Sequence, residues 1–167
     1  LRGLVHLTDD VAEAAAILQA HDAADSRFVV IHPGAQLPSR RWPPARFAAV
    51  ADALAATGLK VLVTGTAAEA ALVDAVLGAM RRPAISLAGR TTLGGMAALV
   101  ERARLIVCND TGVSHIAAAL RSPSVVIASG SDTRRWAPAN KELHRVLADY
   151  PACRPCAYAQ CPYGHTC

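Results

Sequence analysis

The chain has 167 residues, about one domain's worth, and 53% of them are hydrophobic while only 4% are aromatic. Lys and Arg number 17 against 13 Asp and Glu, a net charge of +4. No basic run with interleaved aromatics marks a nucleic-acid surface, so the charge suits a small anionic ligand or an anionic membrane surface. No apolar run reaches the roughly 20 residues of a membrane span. The start, Leu1-Arg2-Gly3-Leu4, has neither Met nor a signal-peptide pattern, and the chain reads as a piece of a longer protein.

In chain order, residues 11–21 read as an amphipathic helix preceding the domain. Aliphatic runs at 28–31, 61–64, 84–87, 105–108, 124–128 and, more weakly, 144–147 predict six strands. Several are almost continuously apolar, as expected when both faces of a parallel sheet are covered. Pro43-Pro44 opens a helix with Phe47, Val50 and Leu54 on one face and Gly58 as its stop. Thr66-x-x-Glu69 opens a second, with Leu72, Val73, Val76 and Leu77 inward. A third spans 93–102, with Met96 and Val100 buried, and a small-residue helix spans 115–120. Strand–helix alternation with short connections predicts a doubly wound α/β domain with a parallel sheet. Ligands in such sheets bind beyond the carboxyl ends of the strands.

The segment Cys108-Asn109-Asp110-Thr111-Gly112-Val113-Ser114-His115 follows the apolar run ending at Val107. A strand, a tight polar turn and a helix start leave free backbone N–H groups at the positive end of a helix dipole, a ready anion site. The plainer reading makes Asp110 or Thr111 an N-cap, Gly112 a turn residue and His115 a half-buried side chain. After the first strand come His32-Pro33-Gly34-Ala35 and Ser39-Arg40-Arg41-Trp42-Pro43. A glycine there lets a ligand approach the backbone, and guanidinium forks suit phosphate oxygens. Trp42 reads as a plug under the helix base. For Arg40 and Arg41, phosphate binding and plain solvation stay open. Glu69 follows the second strand, where an acid can hold ribose hydroxyls. Its spacing from Thr66 is also that of a capping box, the favoured reading on these residues alone. Both roles coexist only if the two carboxylate oxygens divide them.

Four of the five cysteines cluster as Cys153-x2-Cys156-x4-Cys161-x5-Cys167. The set permits tetrahedral zinc or an iron–sulfur cluster where thiols stay reduced, or two disulfides where they do not. Four free thiols are the plainer alternative. Cys108, at the end of a core strand, reads as packing.

His32-Pro33-Gly34-Ala35, Arg40-Arg41-Trp42-Pro43, Thr64-Gly65-x3-Glu69, Leu87-Ala88-Gly89-Arg90-Thr91-Thr92-Leu93, Asp110-Thr111-Gly112-x2-His115 and the Cys-rich tail occur in this order. From residue 28 onward the chain thereby resembles the donor half of glycosyltransferase family 9, the heptosyltransferases. The resemblance implies a Rossmann-like domain forming the C-terminal half of a GT-B enzyme. A linker and helix would occupy 1–26, the nucleotide-sugar domain 27–150 and a truncated Cys-rich segment 151–167, with the N-terminal acceptor domain absent. It implies transfer of heptose from ADP-heptose to the lipopolysaccharide inner core, at the cytoplasmic face of the bacterial inner membrane. Carried onto this chain, it places Arg40 at the donor phosphates, Ser39 among the donor-binding residues and Glu69 at the ribose. Thr91 would lie near the adenine, and Asp110, Thr111, Gly112 and His115 at the diphosphate and sugar. The family's catalytic base lies in the absent domain, so this piece is expected to bind donor without turnover. No cofactor is required. A structural zinc on Cys153, Cys156, Cys161 and Cys167 is favoured over disulfides in a reducing compartment. Two other classes remain: a GT-B nucleotide-sugar epimerase, for which no carboxylate pair is evident, and a non-enzymatic nucleotide- or metal-binding module.

Overall fold

The structure, a computed structural model, describes residues 8–165. Six strands form one sheet: β1 (Phe28–His32), β2 (Lys60–Gly65), β3 (Ile85–Ala88), β4 (Leu105–Asn109), β5 (Ser124–Ile127) and β6 (His144–Leu147). Every pairing is parallel and the order is β3-β2-β1-β4-β5-β6. The chain therefore winds outward in one direction from β1 and, after crossing, in the other from β4. Between β1 and β4 the connections diverge to opposite faces, which opens a crevice at the strands' carboxyl ends.

Helices cover both faces. On one, α2 (Pro44–Ala56) and α3 (Ala70–Ala79) bury Phe47, Ala51, Val73 and Val76 against Val29, Ile31, Val61, Val63 and Val107. On the other, α1 (Thr8–Ala20), α4 (Leu93–Arg102) and α5 (Gly112–Leu120) enclose Val30, Leu62, Leu87, Ile106 and Val126. Neighbouring strand residues serve opposite faces, so near-continuous aliphatic runs are what this sheet needs. Phe47 is fully buried, and truncating such a side chain costs about 3–5 kcal/mol.

Local signals set most boundaries. Pro44 sits in the first turn of α2, where its missing N–H is no loss, and Gly58 takes the left-handed φ of +84° that ends it. Thr92 caps α4 by accepting from Gly95 N–H at 3.0 Å. Three details differ from the sequence reading. Thr66 and Glu69 open a 3₁₀ turn, Ala67–Glu69, before α3 proper. The helix expected at 115–120 begins at Gly112. A short helix α6 (Thr133–Trp136), N-capped by Asp132, follows β5.

Helix α1 is bonded to the domain. Ala14 and Leu18 are fully buried, and the Glu13 carboxylate accepts from Thr92 N–H at 2.8 Å and from the Thr92 hydroxyl. Gly94 and Gly95 make this approach possible. A Cβ on either would come within 2.0 Å of an Asp10 oxygen or 2.4 Å of a Glu13 oxygen.

Candidate functional site

The strand-end ledge is built around Asn109, the last residue of β4 and 0% exposed. Its Nδ2 donates to the carbonyls of Pro33 at 2.7 Å and Gly34 at 3.4 Å, while its Oδ1 accepts from Trp42 N–H at 3.0 Å. One amide thus joins β4 to both ends of the loop after β1. Within that loop Arg41 Nε donates to Ala35 O at 2.9 Å. Trp42 packs edge-on to Phe47, ring centroids 5.2 Å apart, as the helix-base plug expected of it.

Directly after Asn109, Asp110 N–H donates to Ile127 O, and Thr111 forms the N-cap of α5 in extended backbone with no side-chain cap bond. Ser114 instead directs its hydroxyl and N–H to Thr111 O. The first turn of α5 therefore presents N–H groups that no capping side chain covers. Gly112 opens this helix without a positive φ, and a Cβ built there would meet nothing within 4 Å. The backbone does not need glycine at this position, and the missing side chain leaves the helix start open. His115, one turn along, is exposed with its ring 6.1 Å from that of Trp136. Burial, with the Asp110 carboxylate second, pushes the Cys108 thiol well above its ordinary value, which fits a packing role.

Arg40 lies at the end of a 3₁₀ turn, Pro38–Arg40. Its Nη2 donates to Cys156 O at 3.3 Å, but its Nε is buried without a hydrogen-bond partner. Ser39, expected at the donor, directs its hydroxyl to Tyr158 O and its N–H to Ala159 O. It anchors the tail, so its proton is committed to the protein.

Glu69 divides its carboxylate. Oε2 accepts from Thr66 N–H at 2.9 Å and the Thr66 hydroxyl at 3.0 Å, the reach-back half of a capping box. Oε1 leans over Gly34, where a Cβ would come within 2.3 Å of it; no donor bonds it among the described residues. Beside it His32 Nδ1 pairs with Thr64 Oγ1 at 3.0 Å. Burial lowers the His32 pKa below its ordinary value, opposed by the Glu69 charge, so the imidazole is held neutral. Thr91 is half-buried in the loop between β3 and α4, next to the Thr92–Glu13 contact.

The tail crosses this ledge. Arg154 donates to Ser131 O at 2.9 Å and to the carbonyls of Asp149 and Ala128, and Cys156 N–H donates to Gly130 O. The tail then reaches Ser39 and Arg40 beyond β1. Because β4 lies between β5 and β1 in the sheet, the tail passes the β4 end. Among the described residues no three His, Cys, Asp or Glu side chains gather as a metal-binding group. Cys153 Sγ lies 3.4 Å from His165 Nδ1, and Cys161 Sγ accepts from His165 N–H at 3.3 Å. Cys156 Sγ instead packs on Gly130. Cys167 lies outside the described residues.

Sequence reasoning passed over Asn109, Arg154, Glu13 and His165. Asn109 left one signal, an amide at the end of an otherwise apolar strand. Glu13 and Arg154 act through partners far away in sequence, and His165 through cysteines of its own tail.

A six-stranded parallel sheet whose order reverses beside an uncapped helix start defines a Rossmann-like α/β domain. The chain belongs to glycosyltransferase family 9 (heptosyltransferase), whose family profile matches residues 5–167. It is 31% identical over 134 residues to lipopolysaccharide heptosyltransferase 3 of Escherichia coli, covering 78% of this chain and 39% of that protein. It is 34% identical over 120 residues to lipopolysaccharide heptosyltransferase 2 of E. coli K12, covering 69% and 34%. Among solved structures it resembles a family 9 glycosyltransferase from Veillonella parvula, with TM-score 0.83, 25% identity, and 90% and 44% coverage. It also resembles the E. coli ADP-heptose heptosyltransferase II, with TM-score 0.74, 27% identity, and 87% and 44% coverage. The chain thus spans about two fifths of the length of these relatives. Two further structures of the same fold, of E. coli heptosyltransferase WaaC, were solved with ADP and with ADP-2-deoxy-2-fluoro heptose. No helix among the described residues is long and apolar enough to cross a membrane.

Proposed function

We propose that this chain is the donor-binding half of a heptosyltransferase, seating ADP-heptose or a related nucleotide sugar on the strand-end ledge between β1 and β4. The observation that carries the reading is the pairing of two anion-seeking elements at that switch point. One is the uncapped start of α5 with its open Gly112. The other is Arg40, whose buried Nε has no acceptor. A buried unpaired donor costs about 1–3 kcal/mol, which a phosphate oxygen would recover. In this reading Thr111 and Gly112 amides and Arg40 hold the diphosphate. Asp110 and His115 flank the sugar, and Glu69 Oε1 accepts from the ribose while Oε2 keeps its cap. Thr91 borders the base. Ser39 contributes by holding the tail that partners Arg40.

In the complete enzyme, an acceptor hydroxyl on the lipopolysaccharide inner core loses its proton to a base outside this chain. Its oxygen bonds to the anomeric carbon as the bond to the diphosphate breaks, and ADP leaves with the electron pair. This half stabilises the charge gathering on the diphosphate. Alone it binds donor without turnover. The working place of the whole protein is the cytoplasmic face of the inner membrane. A structural metal on the tail thiols would require them to draw together, since among the described residues no three metal-binding side chains gather. A metal using Cys156 requires that side chain to leave Gly130.

Calorimetry with ADP, ADP-heptose and UDP tests the donor reading. ADP and ADP-heptose should bind and UDP should bind much more weakly. No binding of either adenine ligand, or equal affinity for UDP, overturns it.

A further inference from the structure

We propose that Asn109 is a positioning residue for the donor diphosphate: its amide sets the spacing between Arg40 and the α5 start so that one ligand spans both. The inference rests on the donor-binding reading above.

The geometry is specific. Asn109 is the only polar residue of β4, which otherwise reads Leu105, Ile106, Val107, Cys108. Burying an amide at a strand end is costly unless it is fully bonded, and this one bonds to three different residues. Its donor holds Pro33 and Gly34 where the chain leaves β1, and its acceptor holds Trp42 where the chain enters α2. The intervening loop is thereby closed on β4 at both ends. Arg40 stands two residues before the Trp42 bond, and Gly112 three residues after Asn109. At about 3.8 Å per residue, little slack separates either anion-binding element from the amide. Arg41, bonded to Ala35 O inside the loop, stiffens the same segment. No other residue type suits the position as well. Aspartate cannot donate to Pro33 O, leucine would orphan three backbone groups, and the serine hydroxyl is too short to reach from Pro33 to Trp42.

The test is a double-mutant cycle on the full chain, read by calorimetry with ADP and with adenosine, which lacks the diphosphate. Asn109→Ser should weaken ADP about tenfold while leaving adenosine unchanged. In an Arg40→Ala background the same substitution should weaken ADP by less than about twofold, because the element it positions is gone. Equal weakening of ADP and adenosine, or full additivity with Arg40→Ala, would mean that Asn109 only holds the fold together, and the inference falls. Should Asn109→Ser not fold, amide exchange in the parent chain decides. ADP should slow exchange at Trp42, and an unchanged rate overturns the inference. Failure of the donor reading shows in the parent, which then binds no ADP; failure of the inference shows with parent binding intact.

Discussion

Gly112→Ala separates the ligand seat from the fold because the two respond with opposite signs. In the protein a Cβ at this position meets nothing within 4 Å, and φ lies outside the left-handed region. Alanine therefore fits without strain and lowers the entropy of the unfolded chain, a gain of about 0.4–1 kcal/mol. For a domain of this size that raises Tm by roughly 1–4 °C. Binding changes the other way. In the proposed donor seat, the added methyl would occupy space through which a phosphate oxygen reaches the Gly112 and Val113 amides. Losing a charge-assisted hydrogen bond costs about 1.5–3 kcal/mol, or roughly a 10- to 150-fold rise in Kd for ADP. Differential scanning calorimetry and titration calorimetry on one preparation read both quantities. A variant that is equally or more stable and binds ADP as the parent does would refute the placement of the phosphate at the α5 start. A variant that loses both together would refute the claim that the fold tolerates a side chain there.

Glu69→Gln keeps an oxygen acceptor for Thr66 N–H, so Tm should move by no more than about 2 °C. The preference for ADP over 2′-deoxy-ADP, about tenfold in the parent, should shrink; an unchanged ratio would leave Glu69 as a cap alone. Burial lowers the pKa of both His32 and His144, the latter bonded through Nδ1 to Ser124 Oγ. As pH falls below the ordinary histidine value of about 6.5, the unfolded chain takes up protons first. Stability is therefore full above that pH and erodes toward the lowered folded values, by at most about 1.4 kcal/mol per pH unit for each histidine. Urea midpoints at pH 7.5 and 5.5 should differ in that sense, and His144→Gln should reduce the difference; identical midpoints contradict it. Anaerobically purified chain should carry about one zinc, and chelation should increase proteolysis of the tail. Metal-free protein whose tail thiols all titrate freely would remove the metal.

Most of the scaffold was legible because its causes are local. Each of the six strands lies within a residue or two of its expected place, since a strand covered on both faces must be aliphatic throughout, as residues 61–63 and 105–107 are. The Pro43-Pro44 start and Gly58 stop of α2 were equally readable, because proline and glycine act on their own backbone. The Thr66–Glu69 capping box was also readable from its spacing, and the structure forms it through Glu69 Oε2 alone.

What the residue string could not disclose depends on where distant segments meet. The order β3-β2-β1-β4-β5-β6 puts β4 beside β1, although 72 residues lie between His32 and Leu105 in the chain. Only that adjacency turns Asn109 into a clamp on Pro33 and Trp42. The same holds for Ser39, whose hydroxyl and N–H meet Tyr158 and Ala159 once the tail crosses the ledge. Glu13 likewise becomes a partner of α4 only when α1 packs there. Hydrophobic period and turn chemistry are properties of a few consecutive residues, so they survive in the sequence. A hydrogen bond between residues tens of positions apart has no local signature, and its existence follows from how the sheet is ordered.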